Sequence, residues 1–174
     1  MDLLDFEGQD LYFDKPQHPE IDALILKSSA LYAEDGGELP LLEACALEPE
    51  SLTVLVALYR FYYYQHRLED ALEVSRRVLA ITGRDLGFPP DWQALQTGHV
   101  EQAITQSMTL LRFHLLCLKA AAFVQLRLGR LETGKSMLQK LVALDSNNRL
   151  GAQQLLDVLD IAEENDTIPK PLKC

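Results

Sequence analysis

The sequence predicts an all-α protein of about seven helices. Apolar residues recur at spacings of three and four along most of the chain, which is the period of one face of a helix. Glycines, prolines and Asp-Gly breakers divide these stretches into segments of helical length. No segment has the pattern of a strand, so helices packed in pairs are the only regular structure that the sequence predicts.

The composition fits one compact domain. A chain of 174 residues with 48% apolar residues buries about 70% of the surface that it exposes when unfolded. The N-terminus is acidic and lacks the cationic start and apolar run of a signal peptide. No apolar stretch reaches the roughly 18 residues of a membrane span. We therefore expect a cytoplasmic protein that does not insert into membranes.

The charge is concentrated at the N-terminal end. Residues 1–50 hold 13 acidic and 2 basic side chains, a net charge of −11, whereas residues 51–174 hold 13 acidic and 14 basic side chains, a net charge of +1. This asymmetry argues against nucleic acid as a partner of the N-terminal end. It leaves two interpretations open, a solvated acidic arm or a charged recognition surface.

The first half of the chain is predicted to form an acidic arm and four helices. Prolines end the arm, an Asp-Gly-Gly breaker ends the first helix, and Pro49 ends the second. Helices three and four separate at His66. The predicted bounds are 1–17 for the arm, 20–33 and 39–47 for the first two helices, and 52–83 for the next pair.

The second half contains an insertion at 84–114 and a single long helix from His99 to Leu128. That stretch has no glycine or proline, and the helix would be about 45 Å long at 1.5 Å per residue. Its first half would extend beyond the helix pairs with apolar residues that need cover. The acidic arm, the connection around Trp92 or a second copy of the chain would cover them, so a homodimer through this helix is an alternative. The apolar residues are Val100, Ile104, Met108, Leu110, Leu111 and Phe113.

The chain is predicted to end in a further helix pair, a capping helix and a loose tail. The second helix of this pair covers 131–144. Ser146 or Asn147 would cap the last helix over 147–164, and its leucines would cover the open end of the stack. The tail covers 165–174.

The stretch from Leu52 to Gly83 resembles a tetratricopeptide repeat. With Leu52 as repeat position 1, the pattern has Leu55 at 4, Leu58 at 7, Tyr62 at 11, Ala71 at 20 and Gly83 at 32. Residues 18–49 and 115–146 have a degenerate form of the same pattern, with Gly134 at position 20 of the last unit. Position 20 is small in this family because the two helices of a repeat nearly touch there. The larger Tyr59, Val78 and Leu141 depart from the pattern and should spread the helices.

The resemblance implies a right-handed stack of helix pairs with a concave groove that holds another polypeptide. In this family, defined positions of each first helix line the groove, and here they would make it aromatic with cationic points. The protein would then be a scaffold or an assembly chaperone for a protein client. The groove residues expected to bind the client are Arg60, Tyr63, Tyr64, Lys119, Phe123 and Arg127.

Two other functions remain as alternatives. Small acidic proteins with three such repeats include the chaperones of type III secretion translocators, a resemblance in size, charge and repeat number. Residues Gly129 to Ser136 also spell the phosphate-binding loop G-x-x-x-x-G-K-S, with Asp160 as a conceivable magnesium partner. That chemistry requires a loop between a strand and a helix, and the preceding segment has a helical pattern. The gene neighbourhood would separate these functions.

No catalytic residue, cofactor or metal is predicted. The four histidines have no partner at helical spacing that would mark a metal site or an acid–base pair. The three cysteines are odd in number and widely spaced, which fits neither a disulfide framework nor a zinc cluster. Cys45 and Cys117 lie on apolar helical faces and are expected to be unreactive core thiols, whereas Cys174 would react through exposure.

Overall fold

The computed structural model describes residues 18–32 and 36–167, with side chains up to residue 161. These residues form eight α-helices and one short 3₁₀ helix, and no strand occurs among them. The all-α prediction is therefore confirmed, while the acidic arm and residues 168–174 lie outside the described part. The helices are α1 (Pro19–Ala30), α2 (Glu38–Leu47), α3 (Leu52–Tyr64), α4 (Leu68–Asp85), α5 (Thr97–Gln106), α6 (Met108–Arg127), α7 (Leu131–Leu144) and α8 (Ala152–Thr167), with the 3₁₀ helix at Trp92–Ala94.

The helices α1 to α4 follow the predicted segments closely. The Ser51 hydroxyl accepts a hydrogen bond from the backbone N–H of Val54 and so caps α3. The turn between α3 and α4 falls at His66, whose φ of 56° lies in the left-handed region. The helix α4 continues two residues beyond Gly83, which stays inside it.

The single long helix was a wrong prediction, because Ser107 divides it into α5 and α6. Ser107 has an extended backbone, with φ −159° and ψ 102°. Its N–H donates to the Ala103 carbonyl and ends α5, while its hydroxyl accepts from the N–H of Leu110 at 3.2 Å and caps α6. The break lets α5 fold back against α6 and α7.

This fold-back covers much of the apolar surface that the long helix would have exposed. Val100, Leu111 and Phe113 are buried, whereas Ile104 and Met108 remain partly exposed. The homodimer alternative was argued from a long projecting helix, which the structure divides at Ser107, and the alternative itself stays a prediction. The protein's own α7 covers part of the apolar surface that a second copy of the chain was expected to cover.

The last helix also begins later than predicted, at Ala152 rather than near Asn147. The residues between α7 and α8 form a hydrogen-bonded loop. The Asp145 carboxylate accepts from the N–H of Leu150 at 2.7 Å, and the Asn148 side chain accepts from the N–H of Gln153. Asn148 and Gly151 have positive φ values of 47° and 66°, so this loop uses residues that tolerate the left-handed region.

Seven of the eight helices pack in chain order, each against the next, from α1 through α4 to α6, α7 and α8. The exception is α5, which lies beside this series against α6 and α7, and the 3₁₀ helix also contacts α7. Lys140 on α7 holds this insertion by donating to the carbonyls of Gln93 and Leu95 at 2.8 and 3.0 Å. The largest fully buried side chains include Phe113, Leu55, Leu72, Leu118 and Leu138.

Small residues lie where paired helices approach most closely. A Cβ atom at Gly134 on α7 would lie 2.5 Å from Leu126 Cδ2 and 3.0 Å from the Ala122 carbonyl oxygen of α6. A Cβ atom at Gly37, just before α2, would lie 2.9 Å from the Ser28 carbonyl oxygen of α1. Ala71 on α4 is fully buried. These are the three positions numbered 20 in the predicted units.

The helix α6 corrects one further expectation. Among the described residues it is the one helix long and apolar enough to cross a membrane, whereas no such stretch was expected. Most of it is buried inside the fold, where it packs against α4 and α7. Its composition is therefore explained by its position as a core helix.

His114 on α6 is a buried polar residue with one defined partner. Its Nδ1 lies 2.7 Å from Thr82 Oγ1, and Thr82 Oγ1 donates its own proton to the Val78 carbonyl at 2.8 Å. Thr82 therefore accepts from His114, which places the imidazole proton on Nδ1. Phe88 packs edge-on against the ring at 5.0 Å. Burial lowers the pKa of His114 from 6.5 to about 4, so the ring is neutral at pH 7.

We expect a leucine in place of Ala71 or Gly134 to destabilise the fold. Ala71→Leu and Gly134→Leu should each lower the free energy of unfolding by about 1–3 kcal/mol, because the helices have no room for the added atoms. Gly98→Ala in α5 is the matched control, since a Cβ there meets nothing within 4 Å; it should be neutral or slightly stabilising. Urea denaturation measures all three. Unchanged stability in both leucine variants would contradict the packing described here.

We also expect His114 to make stability depend on pH between about 6.5 and 4. In this range the unfolded chain binds a proton that the folded chain does not, so the free energy of unfolding falls as the pH falls. The loss attributable to this residue approaches about 3 kcal/mol near pH 4. His114→Gln should be less stable at pH 7 yet lose less between pH 7 and 4.5. Parallel pH profiles for the two proteins would refute this.

Candidate client-binding surface

The C-terminal half of α3 carries three consecutive tyrosines that lie in three different environments. Successive helix residues point about 100° apart, so Tyr62 is buried, Tyr63 is half-buried and Tyr64 is 40% exposed. Tyr62 therefore packs inside the fold. Tyr63 stacks on Tyr59, one turn earlier, with ring centroids 5.9 Å apart and an angle of 18° between the planes.

Two residues of α6 complete a cluster with Tyr63. The ring of Phe123 lies 6.5 Å from the ring of Tyr63, centroid to centroid. Arg127, one turn later, places its guanidinium carbon 5.3 Å above the Tyr63 ring and its Nη2 3.5 Å from His66 Nδ1. Such a cation–π contact contributes about 0.5–1 kcal/mol at an exposed site. The fold thus brings Tyr63 together with Phe123 and Arg127, which lie about sixty positions later in the sequence.

We define the aromatic surface as five residues: Arg60, Tyr63, Tyr64, Phe123 and Arg127. All five are predicted groove residues, and each is at least partly exposed. Their hydrogen-bonding groups are the guanidinium groups of the two arginines and the hydroxyl groups of the two tyrosines. His66 and Tyr59 were not among the predicted binding residues. His66 contacts Arg127, and Tyr59 contacts Tyr63. The spacing of four between Tyr59 and Tyr63 is the signal that could have identified their contact.

Lys119 is a correction to the predicted set. Its side chain is only 3% exposed, and its Nζ donates a hydrogen bond to the Leu150 carbonyl in the loop between α7 and α8. It therefore joins α6 to that loop and offers no exposed donor to a client. The position of the loop, which the sequence analysis assigned to the last helix, decides the environment of this lysine.

Arg67 and Glu38 hold the turn that follows α3. Arg67 donates to the Glu38 carboxylate at 2.6 Å and to the Asp70 carboxylate at 2.7 Å, and its guanidinium lies 4.5 Å from the Tyr62 ring centroid. The Tyr62 hydroxyl donates to the same Glu38 at 3.0 Å. Burial, and then the hydrogen bond to Glu38, raise the pKa of Tyr62 to about 12, so the phenol stays protonated. This network fixes the end of α3 from which Tyr63 and Tyr64 project.

The carboxylates next to the aromatic surface already have cationic partners. Glu38 and Asp70 bond to Arg67, and Glu69 bonds to Arg130 at 2.5 Å. Arg60 and Arg127 are both exposed, and the described ion pairs assign neither of them to a carboxylate. The surface therefore presents positive charge beside aromatic area.

The segment that matches a phosphate-binding loop forms a helix–helix turn. Gly129 has a φ of 77° in the turn between α6 and α7, and Gly134 lies inside α7 against α6. Lys135 forms an ion pair with Asp160 of α8 at 2.8 Å. Both glycines thus have structural explanations, and neither neighbouring element is a strand.

The described thiols and histidines do not form a reactive centre. Cys117 is buried, and burial raises the pKa of its thiol, as expected for an unreactive core cysteine. Cys45 is half-buried, with Arg77 Nη2 at 3.5 Å from its sulfur. His18 and His99 bond to backbone N–H groups at helix starts. Within the described residues, no group of three His, Cys, Asp or Glu side chains could hold a metal ion.

The comparison with known proteins gives one extensive match. An uncharacterized 19.8 kDa protein in the nifW 5′ region of Azotobacter chroococcum mcd 1 is 54% identical over 159 residues, which cover 91% of this chain and 89% of that protein. The chain belongs to the family of this Azotobacter protein. The shared length takes in nearly the whole helical domain. No protein-family model and no solved structure matches the chain.

Lys135 tests the nucleotide-binding alternative directly. If Gly129 to Ser136 is only a helix–helix turn, isothermal titration with magnesium-ATP should produce no binding heat. Lys135→Ala should remove an ion pair in which the lysine side chain is 22% exposed and the aspartate side chain 57% exposed, and it should lower the free energy of unfolding by about 1 kcal/mol. Asp160→Asn is the matched control, because it breaks the same ion pair from the other side. Micromolar ATP binding that Lys135→Ala abolishes would establish the phosphate-binding function instead.

Proposed function

We propose that the protein is a scaffold or assembly chaperone that binds a client polypeptide at the aromatic surface. One observation carries this proposal. Tyr63, Phe123 and Arg127 from two helices form a single cluster, with Tyr64 and Arg60 exposed on the same helix as Tyr63. Tyrosine and arginine are the residue types that most often dominate binding energy at protein interfaces.

The chemistry of the surface constrains the client. Aromatic rings held by stacking lose little side-chain entropy on binding, so they suit apolar anchors of a partner. The exposed guanidinium groups of Arg60 and Arg127 would pair with at least one carboxylate, and arginine binds carboxylates with two parallel hydrogen bonds. We infer a client segment that is extended or helical, with apolar anchors and one or more acidic residues.

A tetratricopeptide-like arrangement is part of this proposal. It is supported by the order of helix packing and by the small residues Gly37, Ala71 and Gly134 at the close contacts. In such a stack α3 and α6 would both be first helices of a pair and would face the concave side. The aromatic contact between Tyr63 and Phe123 is consistent with that placement.

The name of the Azotobacter relative supplies a first candidate client. That name places the relative in the nifW 5′ region, and neighbouring genes often encode interacting proteins. We therefore propose the product of nifW as the first client to test. The type III secretion chaperone alternative rests on size, charge and repeat number, and the relative's name makes no reference to secretion. The nucleotide-binding alternative is disfavoured because residues Gly129 to Ser136 follow a helix, whereas the phosphate-binding loop follows a strand.

Calorimetric titration of the full chain with the purified nifW product tests this proposal. Tyr64→Ala and Phe123→Ala should each weaken binding by about 2 kcal/mol, or roughly 30-fold, without loss of helix content. Tyr32→Ala is the matched control, because Tyr32 is also a tyrosine that is 40% exposed, but it lies after α1; it should leave the affinity unchanged.

If the nifW product does not bind, affinity capture from native extract would identify the client for the same measurements. A client that binds both Tyr64→Ala and Phe123→Ala as tightly as the wild type would exclude the aromatic surface as its site. Equal losses in all three variants would indicate a general effect on folding and would also count against the proposal.

A further inference from the structure

The helix α2 presents an apolar face that its packing does not require. Its buried side is formed by Pro40, Leu41 and Ala44. On the outward side Leu39 is 64% exposed and Leu42 is 45% exposed, and Ala46 is also exposed. These three residues follow spacings of three and four and therefore form one stripe along the helix. We call Leu39, Leu42 and Ala46 the α2 stripe.

The two leucines of the α2 stripe correspond to polar residues in α4 and α7, and the third position is alanine in all three helices. Thirty-four residues later, α4 has Glu73, Arg76 and Ala80, and Glu73 pairs with Arg76 at 3.2 Å. A further 63 residues on, α7 has Ser136, Gln139 and Ala143. All six are exposed, as are the residues of the α2 stripe. Helix packing thus imposes no demand for leucine at these positions, and exposed apolar residues without a packing role indicate an interaction surface.

The segment that contains the α2 stripe is acidic. Residues 18–50 contain eight acidic residues and one basic residue, Lys27. Glu43 is exposed and lies between Leu42 and Ala46 on the same side of α2. Glu38 and Glu50 bond to arginines of the neighbouring turn and helix, so the excess negative charge resides on residues such as Glu43 and Asp22. An apolar stripe in a negative field favours a partner that carries apolar and basic residues.

The same charge disfavours two other occupants. In a symmetric antiparallel contact between two copies, the Glu43 residues would face each other, because Glu43 lies at the middle of α2. The acidic arm of this chain is also unsuited, since residues 1–17 contain five acidic side chains and one lysine. Both would place like charges together in a small interface.

We propose that the α2 stripe is a docking surface for a basic amphipathic helix of a partner protein. The stripe spans eight residues, about 10 Å along the helix axis, which matches two turns of a partner helix with leucine-like anchors. Lysine or arginine residues flanking those anchors would pair with Glu43 and its acidic neighbours. This goes beyond the proposed function, because α2 contributes no residue to the aromatic surface.

Two synthetic peptides serve as probes for the full-length protein. One is an amphipathic helix about 14 residues long, or four turns, with leucine on one face and lysine on the other. The second has glutamate in place of every lysine. In fluorescence anisotropy titrations the lysine peptide should bind at least about 10-fold more tightly than the glutamate peptide, and added salt should weaken it.

Variants locate the binding to α2. Leu39→Glu with Leu42→Arg introduces the residues of α4 at the same positions, so helix content and stability should be kept, while lysine-peptide affinity should fall at least about 10-fold. Ser136→Glu with Gln139→Arg makes the matched change on α7 and should leave the affinity unchanged. Tyr64→Ala should also leave it unchanged, which keeps this test separate from the test of the aromatic surface.

Four outcomes would overturn the proposal. The first is equal affinity for the two peptides, and the second is unchanged affinity in the Leu39→Glu/Leu42→Arg variant. The third is a wild-type dimer in light scattering that this variant converts to a monomer, because a second copy would then occupy the stripe. The fourth is an increase of more than about 10-fold in peptide affinity when Phe6→Ser and Phe13→Ser are introduced into the full chain, because the arm would then be the occupant.

Discussion

The helices α6 and α7 touch at Gly134, where no methyl group fits between α7 and Leu126. Much of the molecule depends on this contact, because α6 also packs against α4 and α5. Phe123 follows Ala122 in the sequence and Arg127 follows Leu126, so each points about 100° away from the side that meets α7. Docking α6 by one face therefore orients another face toward α3, and the contact at Gly134 indirectly determines where the aromatic surface forms.

The parts of the fold that could be predicted are those set by local pattern. The helices from α1 to α4 and the bounds of α7 follow from apolar periodicity and from breakers such as Pro49 and Gly129. The break at Ser107 was missed because the sequence there has no glycine or proline, and a serine inside a helical pattern is common. Its capping role becomes decisive only because α5 gains buried contacts by folding back on α6 and α7, and this is a tertiary effect.

The candidate site shows the same division. The five residues of the aromatic surface were assigned from tetratricopeptide positions in α3 and α6; each is at least partly exposed, and their role in binding stays a prediction. The burial of Lys119 could not be predicted, since it depends on the loop that starts after α7, and that loop had been assigned to a helix. The α2 stripe was not predicted from the sequence, for a different reason. Leucines in a helix are expected in the core, and only the exposure of Leu39 and Leu42 in the folded structure shows that these two are outside it.

The insertion between α4 and α6 has a consequence for the order in which the protein folds and opens. A stack of helix pairs can grow from neighbour to neighbour, but Lys140 of α7 binds the carbonyls of Gln93 and Leu95, more than forty residues earlier. The insertion also contacts α6, but its docking is complete only once α7 is in place. The contacts with α7 close a long loop, so they form late. The chain therefore combines helices packed in chain order with one segment that depends on a distant helix.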